Sequence, residues 1–325
     1  MGKQFVTSAA FGALLAGVLA AFPAAAQDKV PYPVDTVTLV THSSPGGGTD
    51  VYLREMVKHL SEYIDANFVV ENVRGGSGAN AMAHIANGPA DGSIFYGTTP
   101  TFINTSLLSQ PQYTYEDMKG VVNIFLDPQI VYVRAESPYQ TLAEIVEKAK
   151  AEPGSVKYGV TTPGSLDRQV MEKFKAITGA EGPVITHDGG GDLLINVLNG
   201  TLDMGIGEIQ ELRSQLEAGQ VRLIATYTEE RLDDFPDVPT AREQGIDLVV
   251  DKFRGLAGHP DLPDEVLRAW EETIPRVLED PEFREWYRAS SLIPEFMPSE
   301  EYDQFLKDFA EEQKAFFVEY NITEE

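Results

Sequence analysis

Ser44-Pro45-Gly46-Gly47-Gly48-Thr49-Asp50 is the stretch whose reading decides the fold. The β-branched and apolar run Thr36-Val37-Thr38-Leu39-Val40 leads into it and a helix-patterned segment over about 51–63 leads out, so the local order is strand, glycine loop, helix. A helix start leaves backbone N–H groups without intrahelical partners, and the helix dipole favours negative charge there. The loop therefore reads as an anion cradle. The same glycines also fit a plain tight turn, and this stretch alone does not separate the two readings. It matches neither nucleotide fingerprint, because no Lys-Ser/Thr follows the glycines and their spacing is not that of a dinucleotide fold.

Working outward, the pattern recurs. A strand over 68–70 runs into Arg74-Gly75-Gly76-Ser77-Gly78 before a small-residue helix over 79–86, and a strand over 94–97 runs into Thr98-Thr99-Pro100 before a helix near 102–108. In an open α/β sheet such strand ends lie on one side and form the ligand crevice. Two apolar strands, 121–125 and 130–133, then follow one another across Leu126-Asp127-Pro128-Gln129 with no helix between them, as expected where a chain passes from one lobe to another. The βα alternation resumes with strands over 156–160, 184–186, 202–206 and 221–225. The first three enter Thr161-Thr162-Pro163-Gly164-Ser165, His187-Asp188-Gly189-Gly190-Gly191-Asp192 and Gly207-Glu208. A return strand over 252–257 and a mostly helical tail from Pro263 complete the chain; Ser299 is expected to cap the last helix, and Trp270, Trp286, Tyr287, Phe305, Phe309 and Phe316 read as packing. The expected fold is α/β with two lobes, the first from residues 27–127 plus 252–325 and the second from 128–251.

The composition agrees with an exported globular protein. At 325 residues, 42% hydrophobic and with 20 prolines, the chain has room for two domains. Residues 1–26 read as a secretory signal peptide: Lys3, an apolar run over about 9–22, and Ala24-Ala25-Ala26 as a cleavage site before Gln27. The apolar run is short for a membrane span. There is no cysteine, which removes disulfides and a lipoprotein anchor. A formal charge of -26 argues against nucleic acid and anionic membrane surfaces as partners. It leaves a small anion open, since local N–H dipoles can outweigh a salt-screened surface field.

Several of these segments together resemble the solute receptors of tripartite tricarboxylate transporters, also called Bug receptors. The likeness rests on Pro45 to Asp50, Val70-Glu71-Asn72 with the turn 75–80, Ala90-Asp91-Gly92, Asp188 to Leu194 with Asn199-Gly200, the run 218–225, and Phe235-Pro236-Asp237-Val238-Pro239-Thr240 followed by Gly245. Their order and spacing cover nearly the whole mature chain. The resemblance implies a two-lobed periplasmic binding protein of the Venus-flytrap, type II-like kind, with its cleft between the lobes. It would be a monomer without a cofactor that binds a small organic carboxylate and delivers it to membrane permease subunits. A sensor receptor for a signalling system is the alternative, and a secreted hydrolase a further one. Carried over by position, the resemblance nominates Gly46, Gly47, Gly48, Thr49, Ser77, Gly78, Thr98 and Thr99 in the first lobe, and Thr162, Ser165, His187, Gly189, Gly190 and Glu208 in the second. Asp50 is expected to brace the following helix. The chain departs from the family pattern at Arg168, His187 and Glu208, which places selectivity in the second lobe; Glu208 reads either as an acceptor for a ligand group or as a solvated helix-start residue.

No catalytic constellation stands out. Gly75-Gly76-Ser77-Gly78-Ala79 lacks the last glycine of a nucleophile elbow, and the five histidines show no metal-ligand spacing. Residues 188–192 lack the alternating acids and closing Glu of a calcium loop. His42 and His187 adjoin glycine loops and are the histidines placed to meet a ligand. A binding protein that is not an enzyme, with no metal, is expected.

Overall fold

The structure is a computed structural model that describes residues 1–2, 28–250, 252–319 and 322. The signal peptide expected over residues 1–26 lies almost wholly outside the described residues. The first elements are β1 (Thr36–Thr41), α1 (Gly48–Tyr63), β2 (Asn67–Asn72), α2 (Ala79–Ala86), β3 (Ile94–Thr98), α3 (Pro100–Ser109) and β4 (Lys119–Leu126). They are followed by β5 (Ile130–Arg134), α4 (Leu142–Ala151), β6 (Tyr158–Val160), α5 (Leu166–Thr178), β7 (Val184–Thr186), α6 (Gly190–Leu198), β8 (Met204–Gly207), α7 (Ile209–Glu217) and β9 (Val221–Thr226). The chain ends with β10 (Phe253–Gly258), α8 (Asp264–Leu278), α9 (Pro281–Ala289), β11 (Ile293–Met297) and α10 (Ser299–Glu319).

Two sheets result. One has the order β11-β4-β10-β3-β1-β2 and the other β7-β6-β8-β5-β9, so every strand up to β4 and from β10 onward belongs to the first and every strand from β5 to β9 to the second. Strands β2, β1 and β3 run parallel, as do β7, β6 and β8. The crossover strands are antiparallel: β10 inserts between β3 and β4, and β5 between β8 and β9. Because β10 pairs with β4 through Phe253 opposite Leu126, the two passages between lobes run side by side, and the Asp127 N–H donates to the Lys252 carbonyl at 2.7 Å. That adjacency brings residues 127 and 252–254 to the buried inner end of the cleft.

Each sheet is clothed by helices whose apolar residues share one face. On α8 these are Val266, Ala269, Trp270, Ile274 and Val277, a three-and-four spacing that buries Trp270 completely against Phe95 and Phe68, with ring centroids 5.2 and 5.9 Å away. Its indole N–H donates to Tyr32 Oη at 3.2 Å. Trp270, Trp286, Tyr287, Phe305 and Phe309 pack into the cores of the first sheet, as the sequence suggests, whereas Phe316 lies under Lys173 of α5, whose Nζ is 4.4 Å from its ring centroid.

Three expectations change. The tail is mostly helical as expected, but Ile293–Met297 adds an unforeseen edge strand on β4; Pro294 fits there since an edge strand can lack a donor on its free side. Ser299 is the first residue of α10 rather than its cap, and its hydroxyl donates to the Gly120 carbonyl at 2.6 Å. Helices α1 and α6 begin inside their glycine clusters, at Gly48 and Gly190, several residues before the apolar periodicity becomes visible.

Candidate functional site

The site is assembled from strand ends of both sheets. On the first, β1 runs through buried His42, Ser43 and Ser44 into the loop that starts α1. Asp50 braces this loop: it accepts from the Gly46 N–H at 2.9 Å, Arg54 Nε at 2.8 Å and Asn72 Nδ2 at 2.9 Å. Burial opposes its ionisation, but these donors outweigh that and hold its carboxyl below the usual range. The bracing role expected for Asp50 is the one observed.

On the second sheet, the turn after β7 starts α6 and lies directly on the first loop. A Cβ on Gly189 would collide with Ser44 Oγ and stand 3.0 Å from the Ser44 nitrogen, and one on Gly191 would stand 3.1 Å from the Pro45 carbonyl oxygen. Only glycine permits this approach. The two glycine loops thus touch each other across the cleft.

Beside that contact lie two cavities. The outer one, about 400 Å³, is lined by His42, the turn 74–79, Thr162, His187 and Asp188. Arg74 bridges it by pairing with Asp188 and, at 3.5 Å, with Asp192 of the opposite lobe. The inner one is only about 30 Å³ and is bounded by Thr49, Thr99, Gly189, Glu208, Lys252 and Arg254 among others.

Around the inner cavity sits a buried charge network. Arg254, 1% exposed, donates from Nε to Asp127 Oδ2 at 2.7 Å and from Nη1 to Thr49 Oγ1 at 2.6 Å; its Nη2 lies 3.4 Å from Glu208 Oε2. Lys252 pairs with Glu208 and, at 3.5 Å, with Asp167. Gln129 donates to Glu208 at 2.7 Å and Gln210 to Asp127 at 2.7 Å. Glu211 accepts from the Gly48 N–H at 2.6 Å, with its other oxygen 3.4 Å from the Glu208 nitrogen. Four carboxyl groups thus surround two cations.

The electrostatics follow from burial and pairing. Desolvation alone would raise Glu208, but Lys252 and Arg254 overcome it and hold its carboxyl at about 2, so it is ionised. Burial raises Asp127 despite Arg254, and Asp167 despite Lys252. Glu211 is pushed well above the usual carboxylate range by burial and by the adjacent Glu208 charge. His42, hydrogen-bonded to Tyr96 Oη at 2.5 Å, is lowered to about 3 by burial and the two cations and is neutral.

The sequence-nominated residues divide three ways. Gly48, Thr49, Thr99, Thr162, Gly189, Gly190 and Glu208 line the inner cavity, and Ser77, Gly78, Thr162 and His187 the outer one. Gly46, Gly47, Thr98 and Ser165 line neither. The Thr98 hydroxyl bonds to Tyr302 Oη at 2.6 Å inside the first lobe, and Ser165 caps α5 by accepting from the Arg168 N–H at 3.1 Å. Arg168 itself pairs with Glu172 one turn along the same helix at 2.7 Å. Glu208 is 2% exposed and already engaged, which rules out the solvated reading.

Sequence reasoning missed Lys252, Arg254, Asp127, Asp167 and Glu211. A signal for the first pair exists: Lys252 and Arg254 are two residues apart on one face at the start of a strand otherwise made of Phe253, Gly255, Leu256 and Ala257, and such a strand is too apolar for that face to be solvent. Among the described residues there is no cluster of three or more His, Cys, Asp or Glu able to hold a metal ion, and no helix long and apolar enough to cross a membrane.

Comparison with known proteins places this architecture. The chain is 26% identical over 96% of both sequences to the "UPF0065 protein in gbd 5'region" of Cupriavidus necator. Its fold superposes on Rpa4515 of R. palustris, solved with adipate, with a TM-score of 0.85 and 25% identity over 90% of this chain and 99% of that one. It also superposes on MatC of Rhodopseudomonas palustris, solved with bound malate, with a TM-score of 0.80 and 20% identity over 88% of this chain and 99% of that one. The tripartite tricarboxylate transporter family receptor profile matches residues 52–322. The fold is that of periplasmic binding proteins, and the family is one of binding proteins rather than enzymes. The chain belongs to the tripartite tricarboxylate transporter family of solute receptors.

Proposed function

We propose that this receptor captures a small dicarboxylate between its lobes and presents the closed complex to the permease subunits of a tripartite transporter. The lobes are residues 27–127 with 252–325 and residues 128–251, and the segment 1–26 directs export to the periplasm and is removed. The observation that carries the reading is the outer cavity: about 400 Å³, within the usual range of about 300–1,000 Å³ for small-molecule sites, between the lobes.

Its lining suits an anion. Arg74, paired with Asp188 and Asp192 across the cleft, supplies a cation a ligand acid can share, and the turn Gly75 to Gly78 has four successive residues with positive φ, including Ser77 at 50°, a curled backbone of the kind that concentrates N–H dipoles. Ser77, Gly78, Thr162 and His187 add hydrogen-bonding groups around it. The relative solved with adipate supports a dicarboxylate of about that length. Charge-assisted contacts of about 1.5–3 kcal/mol each bring affinity into the micromolar range once the losses of association are subtracted.

A thermal-shift screen of dicarboxylates from four to eight carbons, against matched neutral diols and diamides, tests this. Stabilisation by acids is the expected result. Stabilisation by the neutral compounds alone would reject the carboxylate reading.

A further inference from the structure

The inner end of the cleft holds an arrangement that a plain anion cradle does not need. The Gly48 N–H at the start of α1, which the glycine loop offers to a ligand carboxylate, is already bonded at 2.6 Å to Glu211 Oε1. Glu211 comes from α7, on the opposite lobe. Its carboxyl lies in a slot formed by absent side chains. A Cβ on Gly190 would collide with its Oε2, and one on Gly207 would stand 2.9 Å from the same oxygen. On the first lobe a Cβ on Gly48 would strike Arg254 Nη2 and come within 2.7 Å of Glu208 Oε2.

One further observation beside the seat points to an unmet polar group: Ser44 Oγ, buried against Gly189, is unbonded. Arg254 Nη2 is held by Asp127 Oδ2 at 2.6 Å and lies 3.4 Å from Glu208 Oε2. The remaining volume of about 30 Å³ holds about one water molecule and no carboxylate. A carboxylate therefore reaches the α1 amide only when Glu211 leaves it.

We propose that Glu211 is a tethered internal competitor, a carboxyl group of the second lobe that occupies the amide seat of the first, so that ligand affinity is set by its displacement. This rests on the carboxylate reading above and adds a specificity-determining residue to it. The charged and titratable groups around the seat, Glu208, Lys252, Arg254, Asp127, Asp167 and His42, come from both lobes and both crossovers, so the occupied seat also holds the lobes together in the absence of solute. A ligand that brings its own carboxylate to Gly48 replaces this contact. One that lacks it leaves Glu211 in place and is confined to the outer cavity.

The test is calorimetric titration of malate, adipate, citrate and benzoate into the wild-type protein and into E211A, E211Q and E211D. E211A vacates the seat, E211D draws the acid back by one methylene, and E211Q keeps an oxygen that can accept from Gly48. The expected result is at least tenfold tighter binding by E211A and E211D, with E211Q no tighter than wild type; E211D decides should E211A fail to fold. If an acid binds the wild type and neither E211A nor E211D binds it more tightly, the competitor role is wrong while the carboxylate reading stands. If acids bind E211A or E211D but not the wild type, the competitor role stands and the proposed physiological ligand is wrong. Binding to none of these proteins overturns both.

Discussion

Replacing Arg254 by methionine removes the cation that joins the two crossovers. The side chain is 1% exposed and holds Asp127 through Nε at 2.7 Å and Nη2 at 2.6 Å, Thr49 at 2.6 Å, and Glu208 at 3.4 Å. Arg254→Met leaves Asp127 buried with Gln210 as its remaining donor, at 2.7 Å, and Glu208 with one cation fewer. Breaking a buried pair from one side costs about 3–5 kcal/mol, because the stranded charge keeps its desolvation penalty. At roughly 2 °C per kcal/mol for a chain of this size, the melting temperature should fall by about 6–10 °C. Asp127→Asn added to Arg254→Met removes the stranded charge, so the double variant should recover at least about 1.5 kcal/mol relative to Arg254→Met alone. Thermal and urea unfolding of the wild type, both single variants and the double variant form the cycle. A methionine variant within about 0.5 kcal/mol of wild type, or a double variant no more stable than that single one, would refute the buried-bracket reasoning.

The other predictions concern the carboxyls and the glycines. Glu208 is held at about 2, below its unfolded value, so its contribution is present above about pH 4.5 and is lost as pH falls through about 2. Glu208→Gln should therefore lower the melting temperature at pH 7, with the gap narrowing in acid, as a melting series from pH 7 to pH 2 would show. Glu211 has the opposite sign: its folded value is raised, so its contribution is present in acid and is lost as pH rises from about 4.5 through the raised folded value. Glu211→Gln should accordingly melt higher than wild type at pH 7 and equal to it near pH 3; a lower melting point at pH 7 would contradict the raised value. Gly189→Val drives a side chain into Ser44 and should hold the lobes apart, seen as a larger radius of gyration by X-ray scattering and at least tenfold weaker ligand binding. An unchanged radius and affinity would remove that loop contact from the account.

Much of this architecture was legible because strands entering glycine turns are local signals. The break in alternation at Asp127-Pro128 marked a crossover, and the Phe253 segment marked the return, since both are visible as runs of apolar residues. The edge strand at Ile293–Met297 was hidden because its pairing with β4 depends on a neighbour about 170 residues earlier. The early starts of α1 and α6 were hidden because glycines carry no periodicity, so a helix that begins in them has no sequence mark. At the site, the glycine loops could be read from the chain, but their occupant could not. Glu211 reaches Gly48 only because α7 and α1 face each other across the cleft. Gly46, Gly47, Thr98 and Ser165 were nominated from position in a motif, and position does not say which way a residue faces. Arg168 looked like a selectivity residue and is satisfied along its own helix.

Calorimetric titration of the wild-type protein with adipate, with the ligand recovered and its mass measured afterwards, tests the central claim most directly. The account predicts saturable 1:1 binding in the micromolar range and recovery of unchanged adipate. Conversion of the acid to a product, or saturable binding of a neutral analogue where the acid gives no heat, would contradict it.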